Sequence, residues 1–228
     1  MVPLNPARPN RLNSRLYKGL RIGLFGGSFN PPHEGHLHAA KTAMRALGLH
    51  QVWWLVSPGN PFKANQKTLP YAERLAACDA LIGKNNPSMR ISDLEQQLGV
   101  SLTADTIAAL REHYPDTEFV FIAGADIVHE LPKWHKWQKL VESISFCFIA
   151  RPPATSIARR ALWAHKNGVK INVLNQGVGT KAPLRPLEIY YIWEMEMKPV
   201  SSSLIRHEEA AQKGFFLHKL ARNLKMKV

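Results

Sequence analysis

Two histidines three residues apart, His33 and His36, follow a turn made of Gly26, Gly27, Ser28, Phe29, Asn30, Pro31 and Pro32, with Gly35 between them. An imidazole can donate hydrogen bonds where charge develops on a bound anion. Adjacent glycines let a backbone approach a ligand closely, and adjacent prolines stiffen the turn that presents it. A mostly apolar run from Leu20 to Phe25 leads in and a helical pattern leads out, which places the histidines at a helix N-terminus. Unpaired N–H groups and the helix dipole favour anions there. Strand, phosphate-binding turn and helix start together are the layout of a nucleotide-handling site.

Competing chemistries lack their residues. Gly23, Gly26 and Gly27 do not have the spacing of the G-x-G-x-x-G dinucleotide fingerprint, and the stretch Gly177-Val178-Gly179-Thr180-Lys181 does not supply a P-loop. A zinc-protease helix needs its histidines four apart, whereas here Gly35 interrupts a pair three apart. The alternatives to phosphate binding are a metal set drawn from His33, His36, His38 and Glu34, or ordinary surface histidines.

The elements that must hold this turn follow from hydrophobic periodicity. Leu37, Ala40, Ala43, Met44 and Leu47 repeat at helical spacing up to Gly48, and residues 51–57 read as a buried strand. Residues 58–67 are rich in turn formers, carry Lys63 and Lys67, and read as a mobile active-site loop. A helix is expected over 71–82, with Leu75, Cys78, Leu81 and Ile82 as its apolar stripe and Glu73 and Asp79 outside it. Residues 89–93 make a short strand candidate. Residues 103–114 make a helix with Thr103 as N-cap, and 118–124 form the strongest strand, running into Ala125 and Asp126.

Residues 127–141 are helical in parts around Pro132, and 143–150 are again an apolar strand. Beyond that the pattern gives a helix over 157–165, strands over 169–174 and 188–194, a helix opened by Ser201, Ser202 and Ser203, and a final basic helix from about residue 215. Strands with little polar alternation, separated by helices, indicate a doubly wound α/β domain with a parallel sheet. Ligands are expected at the carboxyl ends of its strands. Residues 1–18 are expected to be a flexible basic extension and 19–228 a single domain.

The formal net charge is +13, which raises nucleic-acid binding as a competing role. Residues 1–33 carry five basic side chains and no acid, and residues 210–228 carry five more and no acid, so the body between them is nearly balanced at +3. That distribution suits an enzyme for small anionic molecules better than a nucleic-acid reader, which concentrates charge on one folded face. No apolar run reaches the roughly 18 residues of a membrane span. Cys78 and Cys147 fall in helix and strand patterns and read as core thiols of a reducing cytoplasm.

At this point the residues carry a resemblance. Gly26 to His36 resembles the H-x-G-H signature of the nucleotidyltransferase superfamily, and Val200-Ser201-Ser202-Ser203-Leu204-Ile205-Arg206 is similar to its second signature, I-S-S-T-x-I-R. Within the superfamily, residues 20–220 resemble the bacterial nicotinate-nucleotide adenylyltransferase family. Three segments carry this: Leu102 to Thr106, Gly124 to Asp126 with Trp134, His135 and Trp137, and Pro58 to Lys63, where many family members have histidine in place of Phe62.

The resemblance implies a Rossmann-like fold and adenylyl transfer from ATP to nicotinate mononucleotide, with Mg²⁺ accompanying ATP and no protein-held metal. It implies His33, His36 and Arg206 as catalytic residues. Gly26, Gly27, Ser28, Phe29, Gly35, Lys63, Gly124, Asp126, Ser202 and Ser203 would bind ATP or its phosphates, and Thr103, Trp134 and His135 the acceptor. Lys63 is a phosphate clamp or a solvated loop charge, and Asp126 an adenosine contact or a plain N-cap. Nicotinamide mononucleotide or phosphopantetheine are the alternative acceptors, and a basic nucleic-acid binder is the reading from another class.

Overall fold

A computed structural model describes residues 11–58, 68–150, 161–174, 179 and 183–193. Among these residues seven strands form one sheet in which every pairing is parallel, in the order β3-β2-β1-β4-β5-β7-β6. They are β1 (Arg21–Gly27), β2 (Gln51–Val56), β3 (Met89–Ser92), β4 (Glu118–Gly124), β5 (Ser145–Ala150), β6 (Lys170–Leu174) and β7 (Glu188–Trp193). The helices are α1 (Arg11–Leu16), α2 (Glu34–Leu47), α3 (Tyr71–Ile82), α4 (Leu94–Leu98), α5 (Thr103–His113), α6 (Trp137–Ser143) and α7 (Leu162–Lys166).

The doubly wound expectation is therefore met, for a physical reason visible in each strand. Successive side chains point to opposite faces, and both faces are covered, so apolar residues occupy consecutive positions. Ile22, Leu24, Trp53, Leu55, Phe119, Phe121, Phe146 and Phe148 face the core covered by α5 and α6. Phe25, Val52, Trp54, Val120, Ile122, Cys147 and Ile149 face the other core, covered by α2 and α3. Ala40, Ala43 and Ala46 are fully buried on α2, so small side chains bring that helix close against the sheet.

Three boundaries differ from the sequence pattern. The segment expected to be an extension is helical over Arg11–Leu16, and Tyr17 is buried, edge-on to Trp53 at 5.3 Å and to Tyr114 at 5.9 Å. An aromatic anchor outweighs the polar, proline-rich composition around it. Helix α4 goes unseen in the pattern because five residues with two leucines give no periodicity. Ser143 closes α6 by donating its hydroxyl to Leu140 O, so β5 starts only at Ser145. The expected helices from residue 201 onward, and residues 157–160 of the expected 157–165 helix, lie outside the described residues.

No helix among the described residues is long and apolar enough to cross a membrane. The sheet order changes direction between β1 and β4, which opens the crevice of a doubly wound sheet at their carboxyl ends.

Candidate functional site

The turn after β1 is built on packing before it is built on function. A Cβ on Gly26 would meet Phe121 Cζ at 2.5 Å, and one on Gly27 would meet the Phe29 ring at 3.1 Å. A side chain at Gly26 would force the Phe121 ring to shift, and one at Gly27 would need the Phe29 ring to give by a few tenths of an ångström. Phe29 has φ 45°, the left-handed region, and its buried ring fixes this conformation by packing edge-on to Phe25 at 5.3 Å and on Trp54 at 4.9 Å. Among the described residues nothing accepts a hydrogen bond from the Phe29 N–H.

His33 is the N-cap of α2 and is buried, with extended backbone at φ −149° and ψ 167°. Its carbonyl accepts the N–H groups of His36 at 2.8 Å and Leu37 at 3.4 Å, and its own N–H donates to His36 Nδ1 at 3.1 Å. This last bond decides what His36 can do. With Nδ1 accepting, the neutral ring carries its proton on Nε2, which becomes a donor. The two imidazoles lie 3.8 Å apart, and Phe29, at 5.1 Å, holds the His36 ring edge-on. The half-buried ring is thus an oriented donor at the carboxyl end of β1. Gly35 is buried inside the first turn of α2.

Neighbouring strand ends complete this edge. Ser57 N–H donates to Gly27 O at 3.1 Å, joining the exits of β1 and β2. On the other side β4 ends at Gly124 and passes into a 3₁₀ turn, Ala125–Ile127, where Asp126 is exposed. Gly124 takes the capping position there, so the N-cap reading of Asp126 is corrected. Thr103 is likewise not a cap. Leu102, extended at φ −107° and ψ 127°, precedes α5, and its carbonyl accepts Asp105 N–H at 3.0 Å and Thr106 N–H at 3.1 Å, leaving Thr103 as the first helical residue.

Trp134 is half-buried and edge-on to Phe121 at 5.9 Å, while His135 is exposed. Lys136 Nζ pairs with Asp105 Oδ1 at 3.1 Å, which ties the segment carrying Trp134 and His135 to the first turn of α5 carrying Thr103. That pair joins the two segments carrying the expected acceptor-side residues, and His33, His36 and the turn from Gly26 to Phe29 lie together. Lys63, Ser202, Ser203 and Arg206 lie outside the described residues.

Two buried charged side chains join the site region without any mark in the sequence pattern. Arg74, 4% exposed, donates from Nη1 to Ser28 O at 2.7 Å and to Ser57 O at 2.8 Å, from Nη2 to Pro58 O at 3.2 Å, and from Nε to Leu69 O at 3.1 Å. The available signal was position: Arg74 precedes Cys78 by four and Ile82 by eight, so it sits on the apolar stripe of α3. Glu95 is the other. Burial pushes its carboxyl up to about 7, and the hydrogen bond from Thr106 pulls the other way. Thr106 Oγ1 lies 3.2 Å from Glu95 Oε1 and 3.2 Å from Leu102 O, and its single proton cannot serve both. Thr106 donates to Glu95 Oε1, and Glu95 Oε2 is buried with no hydrogen-bond partner among the described residues.

A cytidylyltransferase-like family model matches residues 24–208, which spans the sheet, the histidine turn and the Ser202–Arg206 region together. The chain belongs to the cytidylyltransferase-like family. Among curated relatives of this cytidylyltransferase-like chain, a probable nicotinate-nucleotide adenylyltransferase of Parvibaculum lavamentivorans is 44% identical over 144 residues, covering 63% of this chain and 71% of the relative. One of the same name from Rhizobium leguminosarum bv. trifolii is 45% identical over 134 residues, covering 59% and 69%. Among solved structures, nicotinic acid mononucleotide adenylyltransferase of Plasmodium falciparum complexed with NaAD superposes with a TM-score of 0.63, at 20% identity, over 82% of this chain and 83% of that one. That likeness establishes the Rossmann-like nucleotidyltransferase fold of the cytidylyltransferase-like chain.

Proposed function

We propose that this chain joins nicotinate mononucleotide to the α-phosphorus of ATP, giving nicotinate adenine dinucleotide and pyrophosphate in NAD biosynthesis. The observation that carries the reading is the His33–His36 arrangement, in a family whose similar relatives bear the name of this activity. The reaction needs two anions held in line and stabilisation of the charge that grows on the phosphates, with no covalent intermediate on the enzyme.

His36 Nε2–H is oriented to donate to a phosphate oxygen, and the Phe29 N–H and the α2 N-terminus are further donors on the same turn. Gly26, Gly27, Ser28 and Gly35 shape that turn, Gly124 and Asp126 border the adenosine side, and Thr103, Trp134 and His135 border the acceptor. A carboxylate at the start of α5 would be favoured over a neutral amide by the helix dipole. Ser202, Ser203, Arg206 and Lys63 are assigned phosphate contacts on their sequence motifs alone.

Mg²⁺ would enter with ATP. Held mainly through phosphate oxygens, it would neutralise their charge. The reaction is assigned to the cytoplasm.

Pyrophosphate release from ATP, measured with nicotinate mononucleotide, nicotinamide mononucleotide and phosphopantetheine in turn, tests the reading. Turnover is expected with the first acceptor in clear excess over the others. Preferred release with either alternative would replace the acceptor, and no release with any would overturn adenylyl transfer.

A further inference from the structure

We infer that Arg74 is a positioning residue for the triphosphate site, acting from beneath the turn after β1 without touching substrate. This rests on the phosphate-site reading above and deepens it. The guanidinium makes four hydrogen bonds, all to backbone carbonyls: Ser28 in the histidine turn, Ser57 and Pro58 at the exit of β2, and Leu69 ahead of α3. No carboxylate pairs with it among the described residues; its other neighbour is the Tyr71 ring, 5.4 Å from Cζ to centroid. A buried cation satisfied only by peptide dipoles is an expensive device for holding helix to sheet, where an apolar side chain would serve.

What it does instead follows from peptide geometry. The carbonyl and N–H of one trans peptide point in opposite directions. By taking Ser28 O, Arg74 turns the N–H of the same peptide, that of Phe29, away from the buried guanidinium, and this is the N–H that no described residue accepts. The same Nη1 holds Ser57 O, so the fork fixes the spacing between the exits of β1 and β2. The Asn30 side chain reinforces the arrangement by accepting Leu69 N–H at 2.9 Å, beside the carbonyl that Arg74 takes. The uncompensated positive charge then stands behind the donors that would face the triphosphate, where little solvent screens it.

The test compares wild type, Arg74→Lys and Arg74→Met for ATP affinity by calorimetry, for kcat and each KM, and for folding by near-ultraviolet circular dichroism. Arg74→Lys keeps the charge and loses the fork. It is expected to bind ATP within a few-fold of wild type while kcat falls by roughly 10- to 100-fold, the scale of a displaced reacting group. Arg74→Met is expected to weaken ATP binding further, by about 10-fold or more, with the KM for nicotinate mononucleotide unchanged in both variants.

Folded variants with wild-type kcat and ATP affinity would overturn the inference. So would failure of both to fold, since the role requires the fold to survive loss of the fork. ATP binding is read without any acceptor, so an error in the acceptor assignment leaves this result interpretable.

Discussion

His36 owes its usefulness to one bond, the His33 N–H donating to its Nδ1, because this bond leaves Nε2 as the protonated nitrogen. Replacing His36 by alanine removes an oriented donor and also the acceptor for the His33 N–H. The expected outcome is a kcat lower by roughly 10²-fold or more, the usual effect of deleting a preorganised donor, with the protein still folded. Glutamine at position 36 keeps a donor without the ring geometry and should recover part of the loss. Steady-state rates of pyrophosphate release measure both, and a folded alanine variant with undiminished kcat would remove His36 from the chemistry. The H-x-G-H pattern is legible in sequence because the residue types declare their chemistry. Arg74 is not, since an arginine on a helix reads as a solvated charge until four carbonyls are found around it.

At the scale of elements, Glu95 links α4 to the first turn of α5 through Thr106. Burial raises its carboxyl to about 7, against an ordinary value of 4.5 in the unfolded chain. The folded state therefore holds the extra proton between those values, and stability falls as pH rises from about 4.5 to about 7, then levels off. The part of that fall due to Glu95 amounts to no more than about 3 kcal/mol by linkage. Glu95→Gln, neutral at every pH, is expected to flatten this slope and to be more stable than wild type at pH 8, as urea unfolding at several pH values would show. An unchanged slope would mean that the carboxyl ionises in the fold without penalty.

The same region shows where sequence legibility ends. The α5 period is plain from Ile107 and Leu110, both buried. The cap position is not, because Leu102 has no capping side chain and serves through its extended backbone alone. Helices α2 and α3 were legible through long stripes ending at Gly48 and Gly83, whereas α4 is too short to show a stripe.

At the scale of the whole molecule, the phosphate donors come from elements far apart in sequence, so a ligand that binds them couples to global stability. ATP with Mg²⁺ at about 100 times its Kd is expected to add about 2.7 kcal/mol, which for a chain of this size raises Tm by roughly 5–10 °C. Differential scanning fluorimetry with and without nucleotide reads this directly, and no shift would argue against an ATP site on the folded chain. The strand order was only partly legible. Near-continuous apolar runs identify the strands and their parallel pairing, but no local pattern says that β7 lies between β5 and β6.

That insertion has a consequence for a chain still being made. The β6 segment leaves the ribosome before β7, its only sheet neighbour among the described residues, exists, because β6 pairs with β7 and not with β5. Until residue 193 has emerged, β5, buried along its whole length in the finished protein, has one flank open and β6 has no place to dock. A chain cut before Glu188 should therefore keep the β3-β2-β1-β4-β5 portion of the sheet but expose β5 as an adhesive edge, and pelleting assays against full-length protein should find it aggregated. The later of these two strands is the one that lets its predecessor take its seat, so the birth order of this protein and its assembly order part company at β6.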